Sequence, residues 1–338
     1  MKQLTDHIEI KNELFNIREA GFETLALKIF RFQYDQNEFY RQYCDAIHVK
    51  KDAVQSLEQI PFLPIQFFKS KEITTGSFEP MAVFESSGTT GSVNSVHLVK
   101  DTGLYETSFL RSFEIFYGDI ASYCIIGLLP SYLERKNSSL VWMVNELIKR
   151  SGHANSGFYL YEYEKLKELI LQNENTGQPT LLIGVTYALL DFFELNPMEL
   201  RHTTVMETGG MKGRREELTR STVQQQLKVL AGITDVHAEY GMTELLSQAY
   251  SKKEGIFQCP PWMKILVRSE DDPFDVFLPQ KINAPFINGV INVIDFANLY
   301  SCSFIATDDM GKLYKDGCFE ILGRLDNSDV RGCSLMML

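Results

Sequence analysis

The chain has 338 residues, of which 44% are apolar and 23% are charged, a composition that is typical of folded globular proteins and excludes an intrinsically disordered chain. Its formal net charge of -11 argues against broad binding to nucleic acid or to anionic membranes, because both carry negative charge themselves. At this length a single hydrophobic core usually stops growing, so we expect more than one lobe.

No apolar run reaches the roughly 18 to 20 residues that a membrane-spanning helix needs. The N-terminus also lacks the apolar region of a secretory signal. We therefore expect no membrane span and a cytoplasmic location. The six cysteines are scattered without a C-x-x-C pair, which indicates neither a disulfide framework nor a zinc site.

Helical periodicity dominates residues 1–60. Apolar side chains recur there mostly at steps of three and four, at Leu14, Ile17, Phe22, Leu25, Ile29 and Phe32. Pro61 and Pro64 then interrupt the pattern and indicate an extended apolar connector.

From residue 81 onward, short apolar runs alternate with helical patterns. Strands are predicted at residues 81–84, 96–99, 123–129, 180–185 and 203–207, and helices at residues 102–117, 139–149, 187–194 and 214–230. This alternation is typical of α/β layering, in which a sheet is flanked by helices. From residue 256 β-type runs dominate, as at residues 264–267 and 290–294. We therefore predict a helical segment (1–60), an α/β lobe (61–255), a β-rich sub-domain (256–325) and a tail (326–338).

A loop rich in glycine and hydroxyl groups follows the first predicted strand. It consists of Ser86, Ser87, Gly88, Thr89, Thr90, Gly91 and Ser92. Glycines allow the backbone to present N–H groups to an anion, and the hydroxyls add donors, so the loop predicts a phosphate site. It is not a Walker A loop, because the G-K pair is missing. Small polar residues also form surface turns, so on the loop alone the phosphate site is favoured only slightly over a hairpin turn.

Three later clusters supply further nucleotide-binding chemistry. Residues 239–244 combine a stackable aromatic ring with a carboxylate that suits magnesium, residues 307–311 offer carboxylates to ribose hydroxyls, and residues 323–326 include an arginine that suits phosphate or ribose. Taken singly, each cluster also fits a purely structural role, with Tyr240 in the core, Asp308 and Asp309 in a turn, and Arg324 in a surface ion pair. Their order and separation carry the argument.

That order resembles the acyl-adenylate-forming superfamily, the acyl-CoA synthetases and their relatives. The superfamily motifs S-[SG]-T-[TS]-G, Y-G-x-T-E, T-x-D-x-G and D-G-x5-G-R are matched by SGTTG at residues 87–91, YGMTE at 240–244, TDDMG at 307–311 and DGCFEILGR at 316–324. The resemblance implies a large domain of mixed sheets flanked by helices, with a β-rich sub-domain.

Two departures indicate the branch. The proline-lysine pair that often follows the phosphate loop is replaced by Val93-Asn94-Ser95, and the chain ends soon after the last motif, which implies that the superfamily's C-terminal lid domain is absent. This pattern resembles the LuxE-type acyl-protein synthetases, which activate fatty acids for bacterial fatty-acid reductases. Residues 61–64, 128–132, 208–214 and 330–335 add to the resemblance, and phenylacetate-CoA ligases are the nearest other branch.

The resemblance implies ATP and Mg²⁺ as cofactors and assigns a role to each matching position. Ser86 to Ser92 would hold the β- and γ-phosphates. Gly209 and Gly210 would line the adenine, on which Tyr240 would stack. Thr243 would contact the α-phosphate and Glu244 would hold magnesium. Asp309 would bond the ribose, assisted by Arg324.

The implied reaction begins with attack of a carboxylate, expected to be that of a fatty acid, on the α-phosphorus. Without a lid lysine another cation is needed, and Lys212 is the candidate, with Arg214 second; both equally fit solvated charges that open a helix. Cys333 matches the family cysteine that takes the acyl group as a thioester before a partner acyl reductase receives it. It also fits a free thiol on a frayed tail. Two alternatives remain: a CoA ligase of the phenylacetate type, and a degenerate nucleotide-binding scaffold.

Overall fold

The computed structural model describes residues 2–86, 93–130, 137–209 and 218–325. The N-terminal part of the chain contains three helices, which are α1 (Lys2–Leu14), α2 (Glu19–Gln36) and α3 (Glu38–Ala46). α2 buries Phe22, Leu25 and Ile29 on one face, as the three- and four-residue spacing requires. α3 begins where the side chain of Asn37 accepts the N–H of Tyr40 at 2.9 Å.

The remaining described helices flank a sheet. They are α4 (Thr102–Tyr117), α5 (Ser139–Ser151), α6 (Tyr163–Thr176), α7 (Thr186–Leu195) and α8 (Arg220–Ala231). None of the helices in the described ranges is long and apolar enough to cross a membrane.

The described strands number fifteen in chain order. They are β1 (Leu63–Pro64), β2 (Ala82–Glu85), β3 (Val96–Val99), β4 (Cys124–Leu128), β5 (Gly157–Phe158), β6 (Thr180–Val185), β7 (Thr203–Thr208), β8 (His237–Tyr240), β9 (Ala249–Ser251), β10 (Phe257–Gln258), β11 (Met263–Arg268), β12 (Val276–Phe277), β13 (Phe286–Asp295), β14 (Phe304–Tyr314) and β15 (Phe319–Arg324). β2 and β3 pair as a separate antiparallel hairpin.

The other strands form one mixed sheet in the order β12-β11-β13-β14-β15-β10-β9-β8-β7-β6-β4-β5, with β1 beside β14. β4 to β8 pair in parallel, whereas β8 to β15 pair antiparallel. All six residues of β6 are buried, as expected of a strand covered by helices on both faces. The α/β prediction is therefore confirmed. The four-part domain division stays a prediction, since strands on both sides of residue 255 belong to this one sheet.

Two of the described helices differ from the predictions. α6 was not predicted, because its apolar face (Leu166, Leu169 and Ile170) is diluted by charged residues on the other faces. α8 begins at Arg220 rather than Arg214, because the hydroxyl of Thr219 accepts the N–H of Thr222 at 3.3 Å and caps the first turn. Residues 214–217 lie outside the described residues.

Candidate active site

Tyr240, Asp309 and Arg324, which come from three separate motifs, meet in space. The hydroxyl of Tyr240 donates to Oδ2 of Asp309 at 2.9 Å, and Nε of Arg324 donates to Oδ1 at 3.3 Å. Asp309 and Arg324 are direct cross-strand partners on β14 and β15. Tyr240 and Asp309 are both 7% exposed, whereas the Arg324 side chain is 79% exposed. The three predicted nucleotide-binding residues therefore form one cluster with a charged, accessible rim.

The ring of Tyr240 is held by two phenylalanines. Its centroid lies 6.0 Å from that of Phe257 and 5.5 Å from that of Phe319, both at steep angles. Burial, together with the nearby Asp309 carboxylate, raises the pKa of Tyr240 well above its usual value. The phenol therefore stays protonated and acts as a hydrogen-bond donor.

A backbone bulge presents Asp309. One residue, Ile291, separates Val290 from Asn292 on β13. Three residues separate their partners, Met310 and Ala306, on β14. The hydroxyl of Thr307 donates to the carbonyl of Ile291 at 2.9 Å and accepts the N–H of Asp309 at 3.1 Å. The middle residue of the bulge, Asp308, accepts a hydrogen bond from Gln66.

Glu244 lies in a tight turn whose carbonyl groups are bound by neighbouring side chains. Nδ1 of His97 lies 2.9 Å from the carbonyl oxygen of Thr243, and Nδ2 of Asn298 donates to the carbonyl of Glu244 at 2.7 Å. The Glu244 side chain is 5% exposed, and burial raises its pKa, opposed by a hydrogen bond from Ser95 and by the charges of Arg324 and Lys69. The Arg324 guanidinium therefore acts electrostatically on the Glu244 carboxylate as well as bonding Asp309.

A buried aspartate holds the residues that follow Glu244. Asp295 accepts the N–H groups of Leu246 at 2.7 Å, Ser247 at 3.0 Å and Ala297 at 3.1 Å, as well as the Ser247 hydroxyl. Burial raises its pKa to about 6 despite these donors. Sequence reasoning missed Asp295, and its only local signal is an aspartate at the end of an apolar strand.

The candidate adenine segment follows β7. Gly209 has φ +76°, a left-handed conformation that side chains disfavour, and lies at the carboxyl end of that strand. Beside it the hydroxyl of Thr208 donates to Oε2 of Glu239 at 2.6 Å. Burial raises the pKa of Glu239 to about 7, and a Cβ on Gly241 would displace its carboxylate.

The entry to the predicted phosphate loop is fixed by a hairpin. The N–H of Ser86 donates to the carbonyl of Ser95 at 3.0 Å, and the Ser86 hydroxyl accepts the N–H of Ser95 at 2.8 Å. Several predicted site residues lie outside the described residues, namely Ser87, Gly88, Thr89, Thr90, Gly91, Ser92, Gly210, Lys212, Arg214 and Cys333. Their roles stay predictions.

The other cysteines divide between core and surface. Cys302 is fully buried in the core, and burial raises its thiol pKa. Cys318 is only half-buried, because it lies in the turn that precedes β15 rather than inside the strand.

The described residues fit a magnesium ion that is bound together with a phosphate substrate. Among them, no group of three or more histidine, cysteine, aspartate or glutamate side chains is placed to hold a metal ion. Mg²⁺ commonly takes one or two carboxylates and completes its coordination with phosphate oxygens and water. Glu244 can supply the protein carboxylate of such a site.

Comparison with known proteins identifies the family. The family model for "Acyl-protein synthetase, LuxE" matches residues 16–338. The long-chain-fatty-acid–luciferin-component ligase of Aliivibrio fischeri is 25% identical over 346 residues, which cover 93% of this chain and 87% of that protein. The ligase of the same name from Vibrio harveyi is 24% identical over 332 residues, covering 91% of this chain and 85% of that protein.

Among solved structures, a 2-hydroxyisobutyryl-CoA ligase in the postadenylation state is similar, with a TM-score of 0.58 over 93% of this chain and 70% of that one. At 11% sequence identity, this likeness shows the fold alone. The fold is that of the adenylate-forming ligases, as the motifs predicted. Since the family model spans nearly the whole sequence, this chain is a ligase and belongs to the LuxE acyl-protein synthetase family.

Proposed function

We propose that this chain uses ATP and Mg²⁺ to convert a fatty acid into an acyl-adenylate, transfers the acyl group to Cys333 and delivers it to a partner protein such as an acyl reductase. The observation that carries the proposal is the convergence of Tyr240, Asp309 and Arg324, which come from three separate motifs. The names of the curated relatives support a long-chain fatty acid as the substrate.

In the first step, a carboxylate oxygen of the acid attacks the α-phosphorus of ATP. The new oxygen–phosphorus bond forms as the bond to the leaving pyrophosphate breaks. Such a reaction depends mainly on alignment and on neutralisation of charge. Asp309 would accept the ribose hydroxyls, the Tyr240 ring and Gly209 would border the adenine, and Thr243 would contact the α-phosphate.

Charge neutralisation would come from three sources. Glu244 would hold magnesium, which would supply positive charge against the phosphates. Arg324 projects from the cluster with most of its side chain exposed, which leaves the guanidinium able to reach a phosphate or ribose oxygen. Lys212 is the proposed cation at the reacting phosphate, with Arg214 as the second candidate.

In the second step, the Cys333 thiolate would attack the acyl carbonyl. A carbon–sulfur bond forms, the bond from the acyl carbon to the AMP oxygen breaks, and the thiol proton passes to solvent. The resulting thioester keeps the acyl group activated for transfer to the thiol of an acceptor protein.

Acid-dependent exchange of labelled pyrophosphate into ATP tests the first step. We expect exchange with long-chain acids, and its absence across acids of every chain length would favour a nucleotide-binding scaffold. Mass spectrometry after incubation with ATP and a labelled fatty acid tests the second step. A hydroxylamine-sensitive adduct on Cys333, lost in Cys333→Ser while pyrophosphate exchange persists, supports the proposal. Acylation of CoA with no protein adduct would instead identify a CoA ligase.

A further inference from the structure

Arg268, the last residue of β11, holds together the bulge that presents Asp309. Its Nη1 donates to the carbonyl of Ile291 at 3.1 Å and to Oδ1 of Asn292 at 2.6 Å, and its Nη2 donates to the carbonyl of Thr307 at 2.7 Å. One guanidinium therefore spans both strands of the bulge from a third strand.

All three acceptors of Arg268 are uncharged. In the described part of the chain Arg268 forms no ion pair, and it is partly buried, so its hydration is given up for bonds to two carbonyl groups and one amide. Desolvation of a cation is costly unless its donors are satisfied. The planar guanidinium presents its donors in fixed directions, which suits acceptors that lie in several directions around it. A lysine ammonium on a flexible side chain suits such acceptors poorly.

The contacts of Arg268 lead directly to Asp309. Where three residues of β14 face one of β13, the regular ladder leaves carbonyl groups without strand partners. Arg268 donates to two carbonyl groups at this point, those of Ile291 and Thr307. Thr307 in turn accepts the N–H of Asp309 through its hydroxyl, so the position of the Asp309 backbone depends on the part of the bulge that Arg268 holds.

We propose that Arg268 is a positioning residue that orients the Asp309 carboxylate towards the ribose hydroxyls of ATP, which rests on the ribose-binding role proposed above for Asp309. Arg268 touches neither substrate nor reacting atoms. Arg268 contributes specificity for the sugar. Without its guanidinium, the Asp309 carboxylate is still present but is no longer held in the geometry that two ribose hydroxyls require.

Equilibrium binding of ATP and of 2′,3′-dideoxy-ATP, measured by calorimetry, tests this inference. We expect the wild type to favour ATP, and Arg268→Ala to lose roughly 10- to 100-fold of that preference, as expected for hydrogen bonds to a charged group. Arg268→Lys keeps the charge and most of the side chain but loses the guanidinium, so it should also lose most of the preference. Arg150→Ala, at an exposed arginine in the last turn of α5, is the matched control and should retain the preference.

A double-mutant cycle with Asp309→Asn separates orientation from general stability. If Arg268 acts through Asp309, adding Arg268→Lys to Asp309→Asn should cause little further loss of preference for ATP. Arg268→Lys covers the case in which Arg268→Ala does not fold. Arg268 variants that weaken both nucleotides equally would overturn the inference while leaving the proposed function standing. Absence of ATP binding and pyrophosphate exchange in the wild type would instead contradict the proposed function itself.

Discussion

Tyr240 and Asp309 lie 69 positions apart in sequence and yet share a hydrogen bond of 2.9 Å. Their strands, β8 and β14, are separated in the sheet by β9, β10 and β15. Four inter-strand spacings in a flat sheet would put them ~19 Å apart. The contact therefore requires the sheet to curl strongly between β14 and β8, and the curled strands bring the separate motifs into one site.

Removing the Tyr240 hydroxyl should weaken ATP use more than folding. In Tyr240→Phe the ring contacts remain, but Oδ2 of Asp309 loses its donor, which should reduce the free energy of unfolding by about 1–2 kcal/mol. We expect the KM for ATP in pyrophosphate exchange to rise roughly tenfold, since Asp309 loses a constraint. Tyr34→Phe is the matched control, because Tyr34 donates to Asp45 at 2.7 Å in the helical segment. Equal KM values in the two variants would argue against a nucleotide role for the pair.

Glu244→Gln should remove adenylation while preserving the fold. Burial already disfavours the charged form of Glu244, so a neutral amide of the same size should be tolerated. Loss of the carboxylate removes a magnesium ligand, and we expect pyrophosphate exchange to fall at least about 100-fold and to require more Mg²⁺.

Glu168→Gln, at an exposed position on α6, is the control for Glu244→Gln. Thermal unfolding of both variants checks the fold. An unchanged magnesium dependence in Glu244→Gln would contradict the proposed role.

The motifs identified candidate site residues, because each motif is local in sequence. Three of them, Tyr240, Asp309 and Arg324, meet in the structure, and their roles, like that of Glu244, stay predictions. The supporting residues Arg268 and Asp295 could not be found in this way, since most of their partners are backbone groups on elements that are distant in sequence. The α/β alternation was predictable from periodicity. The pairing of the described strands other than β2 and β3 into one sheet was not, because it depends on the register between strands that are distant in sequence.

Asp295 should prove essential for the turn that carries Glu244. Asp295→Ala leaves three buried N–H groups without an acceptor, and we expect it to reduce the free energy of unfolding by about 3–5 kcal/mol. Asp295→Asn keeps one acceptor oxygen and should cost less. The capping aspartate Asp119, which accepts the N–H of Ala121 on the surface, is the comparison, and Asp119→Ala should cost about 1 kcal/mol. Urea unfolding measures all three variants, and a cost for Asp295→Ala no larger than for Asp119→Ala would refute the prediction.

His97 should make stability sensitive to acid. Burial lowers its pKa from 6.5 to about 4, so the folded protein binds fewer protons than the unfolded chain between these values. Its full contribution to stability is present above pH 6.5 and is lost as the pH falls from 6.5 to about 4, by about 3 kcal/mol.

Asn in place of His97 can still donate to the Thr243 carbonyl but cannot titrate. Urea unfolding of wild type and His97→Asn across this pH range should therefore give curves whose difference shrinks as the pH falls. A difference that does not change with pH would show that His97 does not titrate as expected.

The single sheet also determines how fragments of the chain would behave. A cut after residue 255 would separate β9 from β10 and leave both strands with unpaired backbone edges. Exposed strand edges of this kind pair with other chains, so we expect either fragment, produced alone, to aggregate. Co-expressed halves should instead be recovered together as a split ligase, because each half completes the hydrogen-bonded ladder of the other.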